Sequence, residues 1–175
     1  MNPRITEKFE ELKSRGEKAL ITYTTAGDPD IETSLEILSC IAENGADILE
    51  IGTPFSDPIA DGSTIQRAFQ RALKNRFSMD DIFSCIERFR QNYAHPVVLF
   101  GYYNPFFQYG FERLCRDARQ AGVDAFLVVD MPPEESLEFK TEAEAAGLDI
   151  IYLVAPTSTE ERIQMISERA GGFLY

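Results

Sequence analysis

Apolar positions along the chain follow two spacings: short, nearly continuous Val/Ile/Leu-rich runs, and longer stretches in which apolar residues recur every three or four positions. The short runs predict strands at 19–25, 47–52, 97–102, 124–129, 149–154 and 172–175. The longer ones predict helices at 31–44, 63–73, 79–93, 111–121, 134–146 and 160–169. A further amphipathic stretch at 6–15, with Phe9 and Leu12 on one face, predicts an extra helix ahead of the first strand. Helices repeatedly close on a glycine just before the next strand, at Gly45, at Gly122, at Gly147 and in the final ERAGGFLY. Glycine supplies the left-handed cap, and the lack of polar alternation in the strands marks them as covered on both faces.

Alternating strands and helices predict an α/β domain with parallel pairing through right-handed crossovers. A doubly wound sheet would carry GxGxxG after its first strand, whereas TTAGDPD holds a single glycine. Several strands instead end in polar residues, Thr25, Glu50, Tyr102 and Asp130, as they do where many loops assemble one active site. The prediction is a (β/α)₈ TIM barrel, with the extra N-terminal helix covering its floor. Residues 1–175 read as a single domain holding about the first six βα units. Closing eight strands takes about 250 residues, so the chain is expected to be the N-terminal part of a longer protein.

The formal charge of −12 argues against nucleic acid or an anionic membrane surface as a partner. With no apolar leader and no run of about 18 apolar residues, the chain is expected to be cytoplasmic. Cys40, Cys85 and Cys115 have no metal or CxxC spacing, and each sits among apolar neighbours, so they read as packed, reduced thiols.

Within the second strand, Leu49 and Ile51 suit the helix layer, which turns Glu50 toward the barrel mouth. Burial there would raise the pKa of the carboxyl toward the range of a general acid or base; the alternative is a structural ion pair with a nearby arginine. Asp61 precedes a helix and reads equally as its cap or as a second catalytic carboxylate, Asp57 before Pro58 as a turn residue, and Asp130 as a cap for the following helix. No lysine falls at a strand end, so a Schiff base is excluded within this stretch, and no His/Cys cluster offers metal-ligand spacing. The only histidine, His95, begins the third strand, on the stability face of a barrel. Carboxylate acid–base chemistry remains. Tyr23, Phe100, Tyr102, Leu127, Val129 and Leu153 can line a pocket for a flat apolar substrate, or can be ordinary interior packing.

LEIGTPFSDPIADG at 49–62 closely resembles the signature of the tryptophan synthase alpha family, with support from TTAGDPD, GYYNPFFQYG and GVDAFLVVDMPPEES. The resemblance implies a lyase of L-tryptophan biosynthesis that cleaves indole-3-glycerol phosphate to indole and glyceraldehyde 3-phosphate without metal or Schiff base. It implies Glu50 as the proton shuttle and Asp61 as the carboxylate at the indole N–H. It also implies an indole pocket of Tyr23, Phe100, Leu127, Val129 and Leu153, with Tyr102 and Tyr175 nearby. No cofactor is implied in this chain. The implied partner is a pyridoxal-phosphate beta subunit in an alpha2beta2 heterotetramer with allosteric coupling, met by Pro54, Asp57, Asn104 and Pro105. The family's phosphate cradle corresponds to sequence beyond Tyr175, so phosphate is expected to bind poorly.

Two rival readings compete with this one. A two-carboxylate glycosidase usually has richer aromatic platforms than a chain without tryptophan offers. A catalytically silent activator of a beta subunit would have no need of both Glu50 and Asp61.

Overall fold

The structure, a computed structural model, describes residues 3–76 and 78–175. Five strands, β1 (Ile21–Thr25), β2 (Ile48–Gly52), β3 (Val97–Gly101), β4 (Ala125–Val128) and β5 (Asp149–Ile151), form one all-parallel sheet in the order β1-β2-β3-β4-β5. Each new strand adds to the same side of the sheet. A doubly wound sheet reverses direction once, whereas a barrel wall does not.

Helices connect the strands: α1 (Pro3–Ser14), α2 (Ile31–Glu43), α3 (Ser63–Leu73), α4 (Met79–Arg90), α5 (Tyr103–Tyr109), α6 (Phe111–Ala121), α7 (Leu137–Ala145) and α8 (Glu160–Arg169). Their starts follow the local chemistry. Asp30 accepts from the Thr33 amide at 2.8 Å to cap α2, and Ser78 with Asp81 forms a reciprocal capping box at α4. At the end of α6, Gly122 takes φ +95, and a Cβ there would also meet the Arg90 side chain at 2.8 Å.

Two apolar layers flank the sheet. Leu49, Ile51, Val97, Leu99, Phe126 and Ile150 face the helices, while Ile48, Val98, Phe100, Ala125, Leu127 and Ile151 pack on the inner face with Ile5 of α1. The period-two alternation of a strand therefore separates helix layer from barrel interior as predicted, and α1 lies against the interior from below.

Four expectations need correction. The predicted sixth strand at 172–175 is reduced to one parallel bridge, Tyr152 to Leu174. The stretch 103–109, outside every predicted element, is helix α5. The helix predicted from 134 starts at Leu137, because Ser136 turns back to donate its hydroxyl to the Pro133 carbonyl at 2.8 Å. Cys40 is exposed, whereas Cys85 and Cys115 are buried.

The floor is fastened by Asp124, which is fully buried. Its carboxylate accepts from the Val97 amide at 2.8 Å, from Arg90 at 2.6 Å and from Arg4 at 2.7 Å. Arg90 also donates to the Gly122 carbonyl at 2.8 and 2.6 Å and to the His95 carbonyl. One carboxylate thus joins α1, α4, β3 and the start of β4. His95 stands on this floor beside Arg4 and Lys8, as its position ahead of the third strand predicted. Asp124→Ala leaves Arg90 buried without its counter-charge and should lower the unfolding free energy by about 3–5 kcal/mol. Urea unfolding measures this. Glu32→Ala, which breaks the exposed pair with Arg88, should leave the midpoint nearly unchanged.

Candidate active site

Glu50 sits in the middle of β2 with Leu49 and Ile51 turned to the helices. It is 4% exposed, and its Oε1 has no hydrogen-bond partner. The alternative, a structural ion pair, does not form: among the described residues no arginine or lysine faces it, and burial alone pushes its pKa up to about 7. A carboxyl in this state is protonated on the acid side of neutrality and readily ionised just above it. It can both give and take a proton.

Asp61 belongs to the loop between β2 and α3. It does not cap α3, whose first turn is preceded by Gly62 with no side-chain bond. Its carboxylate instead accepts from the Tyr102 hydroxyl at 2.6 Å, and the same phenol oxygen accepts from the Ala60 amide at 3.0 Å. Gln66 donates to the Asp61 carbonyl at 2.8 Å. Tyr102 is 1% exposed, and its ring packs on Phe55 at 5.1 Å. Burial and the bond to Asp61 both raise the phenol's pKa, so it stays a donor. The residue after β3 thus pins the loop after β2, and with it the second carboxylate.

Aromatic and aliphatic residues line the space between. Tyr23 meets Phe100 edge-on at 5.2 Å, and Phe100 meets Tyr175 at 6.3 Å. Leu127 is buried, Val129 half-buried, and Leu153 and Tyr175 are 38% and 55% exposed. Glycine makes this crowding possible, since a Cβ on Gly52 would lie 2.0 Å from the Tyr23 hydroxyl oxygen. Burial, partly offset by the Thr25 side chain and reinforced by the charges of Asp61 and Glu50, pushes the Tyr23 phenol up to about 12. The catalytic candidates and the pocket candidates therefore share one end of the sheet. Clefts of about 640 and 580 Å³ lie at the other end, lined by Arg4 and its neighbours, and neither contains Glu50.

Asp130 does not cap the helix that follows it. Its carboxylate accepts from the Tyr103 amide at 2.7 Å and so fixes the start of α5. An unpredicted helix needed an unpredicted cap. Pro54 and Pro105 line a common cleft of about 330 Å³ with Thr53, Ile82 and Tyr109, while Asp57 and Asn104 are exposed.

A family model described as tryptophan synthase alpha chain matches residues 9–175. The chain is 49% identical over 172 residues to the tryptophan synthase alpha chain of Geobacter sp. strain M21, an alignment covering 98% of this chain and 64% of that relative. It is similar in structure to tryptophan synthase subunit alpha from Legionella pneumophila, with 42% identity, a TM-score of 0.96 and coverage of 100% of this chain and 67% of that one. A chain of the tryptophan synthase complex from Pyrococcus furiosus is similar at 41% identity and a TM-score of 0.86, covering 90% and 64%. The chain thus spans just under two thirds of the length of the curated relatives it matches.

Since the pKa of Glu50 rises from 4.5 to about 7 on folding, the burial favours its protonated form. The associated stability is complete below pH 4.5 and is lost as pH rises through about 7. Relative to Glu50→Gln, the wild type should therefore lose about 3 kcal/mol between pH 4.5 and pH 8. Urea unfolding of both proteins across this range checks the sign; a gap that does not widen toward pH 8 would rule out a buried, unpaired carboxyl.

Proposed function

The chain belongs to the tryptophan synthase alpha chain family, and on that premise we propose that, at the full length of its relatives, it is a lyase that cleaves indole-3-glycerol phosphate to indole and glyceraldehyde 3-phosphate. The observation that carries this reading is Glu50: a buried acid with no counter-charge and a pKa of about 7, on the same mouth as a second carboxylate.

Retro-aldol cleavage asks for two proton transfers. Indole C3 gains a proton, making the ring a leaving group, and the hydroxyl on the adjacent glycerol carbon loses one as the carbon–carbon bond breaks and a carbonyl forms. One carboxyl poised between its two protonation states can serve both events in turn, which is the role we assign to Glu50. Protonation at C3 puts positive charge on the ring nitrogen, and a fixed carboxylate at that N–H stabilises it. Asp61, held by Tyr102 and turned away from any helix-capping duty, fits this role. Tyr23, Phe100, Leu127, Val129 and Leu153 supply the apolar walls of a slot for the planar ring, with Tyr102 and Tyr175 at its rim. The chemistry calls on no cofactor in this chain.

The Pyrococcus furiosus relatives are described as a tryptophan synthase complex and as an a2b2 complex with mutual activation. By extension we assign Pro54, Asp57, Asn104 and Pro105 to a surface for a pyridoxal-phosphate beta subunit; the shared cleft of the two prolines and the exposure of Asp57 and Asn104 support this. Cytoplasmic residence belongs to the same reading and rests on the family.

In the full-length form, Glu50→Gln should reduce indole release by at least about a hundredfold, the scale of a lost general acid–base group, with beta-subunit binding unchanged. Indole release is followed spectroscopically and binding by calorimetry. Unchanged cleavage in Glu50→Gln would reject the assignment. Tyr102→Phe, which frees Asp61, should slow cleavage without abolishing it.

A further inference from the structure

Tyr23 on β1 and Glu50 on β2 are register partners in the parallel sheet, so their side chains leave the same face side by side. Both carry a buried polar atom without a hydrogen-bond partner, the Tyr23 hydroxyl and Glu50 Oε1. Such atoms cost free energy, and two on neighbouring residues facing one space call for a joint explanation.

The Tyr23 ring has little freedom. Its edge contact with Phe100 at 5.2 Å fixes it from one side. Its hydroxyl lies over Gly52, where even a Cβ would be 2.0 Å away. Gly52 is two residues beyond Glu50 on β2, and therefore on the same face. Phenylalanine would fill the ring's volume equally well, so the packing accounts for the ring and leaves the hydroxyl unexplained.

Resting on the assignment of Glu50 as the proton shuttle, we propose that Tyr23 is a positioning residue whose hydroxyl donates a hydrogen bond to the ionised Glu50 carboxylate and holds it in the mouth. When Glu50 is protonated the bond is not required, and the two atoms stand unpaired. The other titratable groups at this mouth are Asp61, from the loop after β2, and Tyr102, just after β3, which are bonded to each other at 2.6 Å, and Tyr175, whose ring meets Phe100 at 6.3 Å. Tyr23 alone is a hydroxyl donor in register with Glu50. With its phenol pushed up to about 12, Tyr23 remains a donor throughout the range in which Glu50 titrates.

The test is an NMR titration, from pH 4 to 9, of the chain labelled with carbon-13 at its glutamate carboxyls; the Glu50 signal is the one absent in Glu50→Gln. Tyr23→Phe removes one oxygen, whose other polar neighbour is the Thr25 side chain, and circular dichroism verifies that the fold is kept. A lost donor to the charged form should raise the Glu50 midpoint in Tyr23→Phe by about one pH unit. A purely structural tyrosine would leave the midpoint where it is, and that result overturns the proposal while the assignment of Glu50 stands. A wild-type Glu50 that titrates like an exposed glutamate would overturn both.

Discussion

Asp124 is the point at which the fold is tied together. A carboxylate with no exposure to water is tolerable only when every charge it meets is satisfied, and here two arginines and a backbone amide meet it. Those donors come from α1, α4 and the first residue of β3, and Arg90 reaches on to the carbonyls around Gly122. This one cluster fastens the lower ends of β3 and β4 to α1 and α4. The mouth inherits its geometry from the clamp: the register of β2 on β3, which sets the height of Glu50, starts from the Leu49–Val97 pair just above it.

The opposite end of the sheet uses the same kind of residue for the opposite purpose. Glu50 is about as buried as Asp124 but meets no cation, so its charge is penalised where that of Asp124 is welcomed. The difference is one of surroundings, since both are buried carboxylic acids, one within β2 and the other just ahead of β4. Stability concentrates at the floor, and the free energy stored in an uncompensated acid concentrates at the mouth. This matches the division of labour expected of a barrel whose loops after the strands carry the chemistry.

The wall of this barrel was legible in the sequence because its signals are local. Glycines closing helices and apolar runs set the order of elements, and the Leu49–Glu50–Ile51 alternation foretold which way Glu50 points. What was not legible depends on distant partners. The stretch Tyr103–Tyr109 contains a proline and a crowd of aromatics and carries no predicted element. It becomes helical because Asp130, some two dozen residues later, caps it, while Phe106 buries against Phe126 and Phe139. Asp61 looked like a cap because it stands before a helix, and only the fold brings the Tyr102 phenol to it. At 172–175 the pairing is short: Leu174 bridges to Tyr152, and the backbone of Tyr175 bonds to Tyr152 and Val154.

The mouth also shows how polar groups can be crowded together without bulk. Two strands end in glycine, and each glycine is occupied by a hydroxyl from the preceding segment. The Tyr23 hydroxyl of β1 lies over Gly52 of β2, and the Thr53 hydroxyl, just after β2, lies where a Cβ on Gly101 of β3 would stand, at 2.3 Å. Thr53 is also bonded to the Phe100 carbonyl through its amide at 2.8 Å, so this second contact is locked. A side chain at Gly52 would displace the Tyr23 hydroxyl on the interior face, and one at Gly101 would displace the Thr53 hydroxyl on the helix-facing side, beside Phe106. The missing Cβ atoms therefore do more than relieve strain. On the interior face, the missing Cβ of Gly52 leaves room for the hydroxyl of Tyr23, the register partner of Glu50.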